Sequence, residues 1–385
     1  MHPPDDRFIP PQRALFDLPE GLTFLDCANM SPRLREVAAV GIEAVRRREP
    51  WNTRPSDWFT GAEALRAAAA TLHGADPDGI ALVPAVSYGI AVAAVNVPVK
   101  RGENVVLLDE QFPSNVYAWR ARADREGATV RVVRKAPSDG WTEVVLEAID
   151  ADTAVVAVPN CHWTDGALVD LVRVGARARE EGAALVVDAS QSLGAYPLSV
   201  EEVRPDFVVS VGYKWQLGPY GLGYLYAAPG WREAGRPLEA SWLTRAGAED
   251  FAGLVEYTDD YRAGARRFDM GEYPQFVLVP MALAALSRII EWGVANIQAT
   301  LRRMTDRIAE ESKVLGLAVL PAERRVGHLI GIRFPGRVPP RLPGRLEQER
   351  VHVSVRGSAI RVAPHLYNDE ADIERLLAVL REFSA

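Results

Sequence analysis

Cys27 and Cys161 are the only two cysteines in 385 residues, and the six histidines are scattered singly. Two thiols cannot build a disulfide framework. No Cys/His group has the spacing of a metal site, so no metal is expected. Apolar runs are broken by charge or glycine well short of the roughly 20 residues needed to span a bilayer. The opening Met1-His-Pro-Pro-Asp-Asp-Arg7 has no apolar core of a secretory signal. A reducing, cytoplasmic location without membrane attachment is therefore expected. Charge of one sign is also lacking: 44 basic and 51 acidic residues are interspersed and sum to −7. That pattern leaves no basic stripe for nucleic acid, which is not expected as a partner.

What the chain does have is alternation. Short Val/Ile/Leu-rich runs at 79–83, 104–108, 129–133, 153–158, 184–187, 207–211 and 222–226 alternate with Ala/Arg/Glu-rich stretches at 61–72, 88–97, 116–126, 142–149 and 171–180. Strands separated by crossover helices predict an open α/β sheet, mostly parallel and seven-stranded, whose ligands lie beyond the carboxyl ends of the strands. After Tyr226 the pattern changes to a Pro/Gly/Trp-rich passage and then a long helical stretch to about Glu311. Short strands at 328–334 and 351–355 and an amphipathic helix at 370–383 follow, with 335–345 read as a surface loop. The expected division is an N-terminal arm (1–22), a large domain (23–250), a loop and interdomain helix (251–314) and a smaller α+β C-terminal domain (315–385).

Chemistry concentrates at two strand ends. The run Phe207-Val-Val-Ser-Val211 is followed by Gly-Tyr-Lys214, and Ala184-Leu-Val-Val187 by Asp188. A lysine set against buried apolar strand is costly to keep charged, so its amine is pushed toward the neutral form that makes Schiff bases with aldehydes. An aspartate at a neighbouring strand end stays ionised if it faces a cation, and the pyridinium nitrogen of pyridoxal phosphate is one. The pair suggests a pyridoxal 5'-phosphate enzyme. Singly, each has a plainer explanation, a surface lysine or a helix cap.

The order of Val187-Asp-Ala-Ser-Gln-Ser-Leu-Gly194, Asp206-Phe207, Gly212-Tyr-Lys-Trp215 and Gly218-Pro-Tyr-Gly-Leu-Gly223 resembles the cofactor core of the class V aminotransferases, which include cysteine desulfurases, kynureninases and isopenicillin N epimerase-like proteins. The resemblance runs from about Thr23 to the C-terminus. It implies fold type I, a homodimer with active sites at the subunit interface, and a small amino acid as substrate. Transamination is the expected reaction; lyase chemistry (C–S or kynureninase-like) and epimerisation are the enzymatic alternatives, and a catalytically dead scaffold is the non-enzymatic one.

Residue by residue, the resemblance implies that Lys214 carries the cofactor, Asp188 pairs with its ring nitrogen and Gln191 bonds its phenolic oxygen. Val86, Ser87 and Tyr88 resemble the family's phosphate turn at a helix start. Tyr213 matches a kynureninase-like tyrosine that reaches the same phosphate. Phe112 resembles the aromatic that stacks on the ring. His162 and Trp163 fall where relatives place a polar residue near the cofactor. Glu272 and Tyr273 fall in a loop that the family sends across the dimer. Arg361 resembles the arginine that grips the substrate carboxylate, with Arg356 as its local competitor and Asn29 as a further substrate contact. No cysteine lies in 351–360, which argues against the persulfide route of the desulfurases.

Overall fold

Strands that are apolar almost throughout must be covered on both faces, and all but the edge run 129–133 are buried along nearly their whole length. The computed structural model describes residues 8–47, 49–136 and 139–383; residues 1–7 of the expected arm lie outside them. A short β1 (Thr23–Phe24) precedes β2 (Ile80–Val83), β3 (Asn104–Leu108), β4 (Thr129–Val133), β5 (Thr153–Pro159), β6 (Ala184–Asp188), β7 (Phe207–Val211) and β8 (Gly223–Ala227). These last seven form one sheet in the order β2-β8-β7-β6-β5-β3-β4. Only β8 runs against its two neighbours; the other pairs are parallel. The expected α/β class is the one found. Side chains alternate between two apolar layers: Val187 and Val208 pack into one, Val186 and Val209 into the other.

The remaining strands are β9 (Ala318–Val319), β10 (Ile330–Arg333), β11 (Val351–His352), β12 (Ser354–Arg356) and β13 (Ala359–Val362). Four of them make an antiparallel sheet, β12-β13-β10-β9, while β11 pairs in parallel with β1. The single strand expected at 351–355 is thus broken at Val353, because its two halves belong to different sheets. A third apolar cluster holds Ile330, Ile332, Ile360 and Val362 against Ile373, Leu376 and Leu380 of the helix Glu370–Arg381. Asp369 caps that helix, and the Asp372 side chain bonds back to its backbone.

Two expectations need correction. The segment 335–345 is not all loop: the helix Leu342–Gln348 starts inside it and buries Leu342 and Leu346. The long helical stretch is two helices, Leu278–Trp292 and Val294–Val314, which meet at 74°. The bend sits at Gly293, whose φ of 77° only glycine adopts easily. Among the described residues no single helix is long and apolar enough to cross a membrane.

Candidate active site

The carboxyl ends of β2, β3, β5, β6 and β7 converge on one cavity of about 300 Å³. Its wall includes Val86 and Ser87 after β2, Gln111 and Phe112 after β3, Cys161 and Trp163 after β5, Asp188, Ser190 and Gln191 at the end of β6, and Tyr213 and Lys214 after β7.

Lys214 is buried by a turn that glycine makes possible. Gly218 N–H donates to the Gly212 carbonyl at 2.8 Å and Gly212 N–H to that of Leu222 at 3.0 Å. A Cβ on Gly212 would lie 2.9 Å from the Leu222 oxygen, closer than real Cβ atoms come. Trp215, with no exposed surface, anchors the turn from below, donating its Nε1–H to Gln191 Oε1 at 3.0 Å. The Lys214 Nζ stands 5.3 Å from the Phe112 ring centre and 5.9 Å from that of Tyr213. Burial lowers its pKa to about 8 against the opposing pull of Asp188. The amine is therefore still mostly charged at pH 7 but half neutral near pH 8, where a lysine in water is almost wholly charged.

Asp188 accepts from the Ser190 amide at 3.0 Å. Its complete burial pushes the carboxyl upward, more than the Ser190 bonds and Lys214 pull it down. A cation facing it would reverse that balance. At the far side the helix Val86–Asn96 begins after Ala85, a cap residue with no side chain to satisfy the first amides. Uncapped N–H groups at a positive helix end suit an anion. An aldehyde-accepting amine, a buried carboxylate and an uncapped helix end in one cavity fit the three polar ends of pyridoxal phosphate. Gln191 spends one amide N–H on the Ala28 carbonyl at 3.0 Å and keeps the other.

Val86, Ser87, Phe112, Trp163, Asp188, Gln191, Tyr213 and Lys214 are brought together as a wall. The others are placed elsewhere. Tyr88 points away, its hydroxyl buried beside Glu239. His162 lies behind the wall, stacked on Trp141 at 5.3 Å and bonded to Thr164 Oγ1 at 2.7 Å, so its ring is already committed. Tyr273 has no exposed surface, and its hydroxyl accepts from Arg262 at 2.8 Å, away from the cavity wall. Glu272 and Asn29 are exposed and do not line the cavity. Arg361 is enclosed and turned to Asp26, Ser354 and the Trp163 carbonyl. Arg356 lies over the Trp163 ring at 5.3 Å. Neither arginine is part of the wall.

Gln111, Ser114, Ser190 and Tyr220 line the cavity and were missed. Tyr220 packs its ring 4.6 Å from that of Tyr213. Asp26, behind the wall, was also missed. A carboxylate inside the apolar Phe24-Leu-Asp-Cys27 is the same signal that pointed to Asp188, and could have found it.

The profile of the family described as Aminotransferase class-V matches residues 53–376. The chain belongs to the class V aminotransferase family. The relatives of this class V chain include an uncharacterized aminotransferase, YcbU of Bacillus subtilis (strain 168), 30% identical over 314 residues and 80% of each chain. The isopenicillin N epimerase of Streptomyces clavuligerus is 25% identical over 330 residues, 82% of each chain. A solved structure of C-DES, a mutant with glycine covalently linked to the PLP cofactor, matches with a TM-score of 0.81 at 20% identity, over 97% of this class V chain and 99% of that one. At that identity it speaks to the fold alone.

Proposed function

We propose that the chain is a pyridoxal phosphate-dependent enzyme acting on a small amino acid, with amino transfer as its reaction. The observation that carries the reading is the buried Lys214 amine, its pKa lowered by burial, sharing one cavity with Asp188 and an uncapped helix end. Lys214 would hold the cofactor aldehyde covalently, and Asp188 would keep a ring nitrogen protonated. The amides of Val86 and Ser87 would receive the phosphate, and Phe112 would cover the ring. Bound there, pyridoxal phosphate supplies an electron sink for charge left at the substrate Cα. The Lys214 amine would be the base that takes the Cα proton and, for amino transfer, the acid that delivers a proton to the former aldehyde carbon rather than back to Cα. Both cysteines are buried and their thiols are pushed up by burial, which does not favour persulfide chemistry. The active form in this reading is a homodimer.

The test is to load the protein with pyridoxal phosphate, reduce with borohydride and map the labelled peptide. Lys214 should carry the label, and Lys214→Ala should neither label nor turn over. Label on a different lysine, or turnover by Lys214→Ala at a comparable rate, would refute the assignment. A panel of amino acids with a keto-acid acceptor then separates the reactions: a new keto acid without ammonia supports amino transfer, whereas ammonia, a cleaved fragment or inverted configuration would replace it.

A further inference from the structure

Arg361 already has a partner. Its Nη2 donates to Asp26 Oδ1 at 3.1 Å and, at 3.4 Å, to Ser354 Oγ. Its Nη1 donates to the Trp163 carbonyl at 2.9 Å. Asp26 is held in turn by Ser354, whose hydroxyl lies 2.8 Å from each carboxylate oxygen. All three side chains are buried, and Asp26 and Arg361 belong to segments 335 positions apart in the chain. The pair stands behind the cavity wall made by Cys161 and Trp163.

One donor is left over. Arg361 Nε is buried and has no hydrogen-bond partner, an arrangement that costs free energy unless an acceptor arrives. In a guanidinium, Nε–H and Nη2–H share the edge that takes a carboxylate through two parallel bonds. Asp26 and Ser354 share the Nη2 group, and the Nε–H beside it has no partner. A ligand carboxylate that takes Nε–H and Nη2–H together must compete with Asp26 for Nη2, and it meets a neutralised pair rather than a free cation.

We propose that Asp26 is a specificity-determining residue, an internal counter-carboxylate that competes with a ligand's carboxylate for Arg361. This rests on the reading of the cavity as an amino-acid site. The consequence is that the unmodified protein discriminates weakly between a carboxylate and its neutral amide. Removing the Asp26 charge exposes Arg361 as an uncompensated buried cation, which binds carboxylates more tightly.

The experiment uses cofactor-free protein, with propionate and propionamide as probes and the melting temperature as readout. In the wild type the two probes should half-saturate within about threefold of one another, because the pair already satisfies the cation. In Asp26→Asn, propionate should bind on the order of tenfold more tightly while propionamide is unchanged. The gain should vanish in Asp26→Asn/Arg361→Gln. Propionate binding that is no tighter in Asp26→Asn, or a gain that survives the loss of Arg361, overturns the proposal. Should Asp26→Asn not fold, the wild type decides: a preference for propionate over propionamide of more than about tenfold would show an unneutralised arginine. No cofactor enters these measurements. A negative result leaves the role of Lys214 standing, and failure to label Lys214 leaves this result standing.

Discussion

Lys214 sets the energetics at the residue scale. Its pKa in the fold is about 8 against an ordinary 10.5, so the folded state releases a proton that the unfolded chain keeps between those values. Stability gained from this group therefore rises as pH climbs through that window, and the full cost of burying the cation is present below pH 8. At 1.36 kcal/mol per unit, that cost is on the order of 3 kcal/mol. Lys214→Met should accordingly stabilise the cofactor-free protein at pH 7 by about that amount, with the difference from wild type shrinking toward pH 10.5. Denaturant unfolding of the two proteins at several pH values checks this, and a variant less stable than wild type at pH 7 contradicts it. The same pKa governs reactivity, since only the neutral amine attacks an aldehyde. The rate at which cofactor-free protein captures pyridoxal phosphate should rise with pH and level off above about 8. A rate still climbing toward 10.5 would mean an amine that behaves as though it were in water.

At the scale of elements, the helix Val86–Asn96 and β7 must approach closely for the anion end and the amine end of the cavity to face each other. Gly89 permits this: a Cβ there would lie 2.6 and 2.9 Å from the two methyl carbons of Val209. Gly89→Ala should push the helix off the strand, costing about 1–3 kcal/mol and weakening pyridoxal phosphate binding. A thermal melt and a cofactor titration measure the two effects, and unchanged values for both would show that the contact yields freely. Elements of this kind were legible where sequence and structure share a local cause. The runs at 104–108, 129–133 and 207–211 are strands residue for residue, because short segments rich in valine and other strand-forming residues leave few alternatives. Asp188 and Lys214 stood out because each polar group ends or follows an apolar run, at 184–187 and 207–211, and the family resemblance then gave them, and Phe112, their roles. Less legible was what depends on distant partners. The break at Val353 requires knowing that β11 pairs with β1. Arg361 looked free because Asp26 is 335 positions away, and Tyr273 because its contact with Arg262 has no sequence signature. The helix Arg35–Arg47 was not anticipated; it buries only Val37 and Gly41, too little for an apolar stripe to stand out.

Over the whole molecule, one N-terminal stretch ties the two main sheets to the cavity. Asn368 donates to the Phe24 carbonyl at 3.1 Å and the Cys27 amide to that of Ala363 at 3.1 Å. Gln191 reaches the Ala28 carbonyl at 3.0 Å and the Ser31 amide that of Tyr213 at 3.0 Å. The strut ends beside a second cavity of about 480 Å³, lined by Met30, Pro32, Leu278 and Met281 and sharing Tyr213 and Tyr220 with the first. Met30 is 47% and Tyr220 67% exposed. Apolar surface of this kind next to a site is what a subunit interface covers. If a second copy of the chain covers this face, light scattering should give twice the chain mass at micromolar concentration. Met30→Asp, which places a charge in that face without touching the wall around Lys214, should shift the mass toward the monomer on dilution, because a desolvated, unpaired carboxylate is costly at an interface. A wild type that is monomeric across that range, or a Met30→Asp variant that dimerises as tightly as wild type, would place the dimer contact elsewhere on the molecule or remove it.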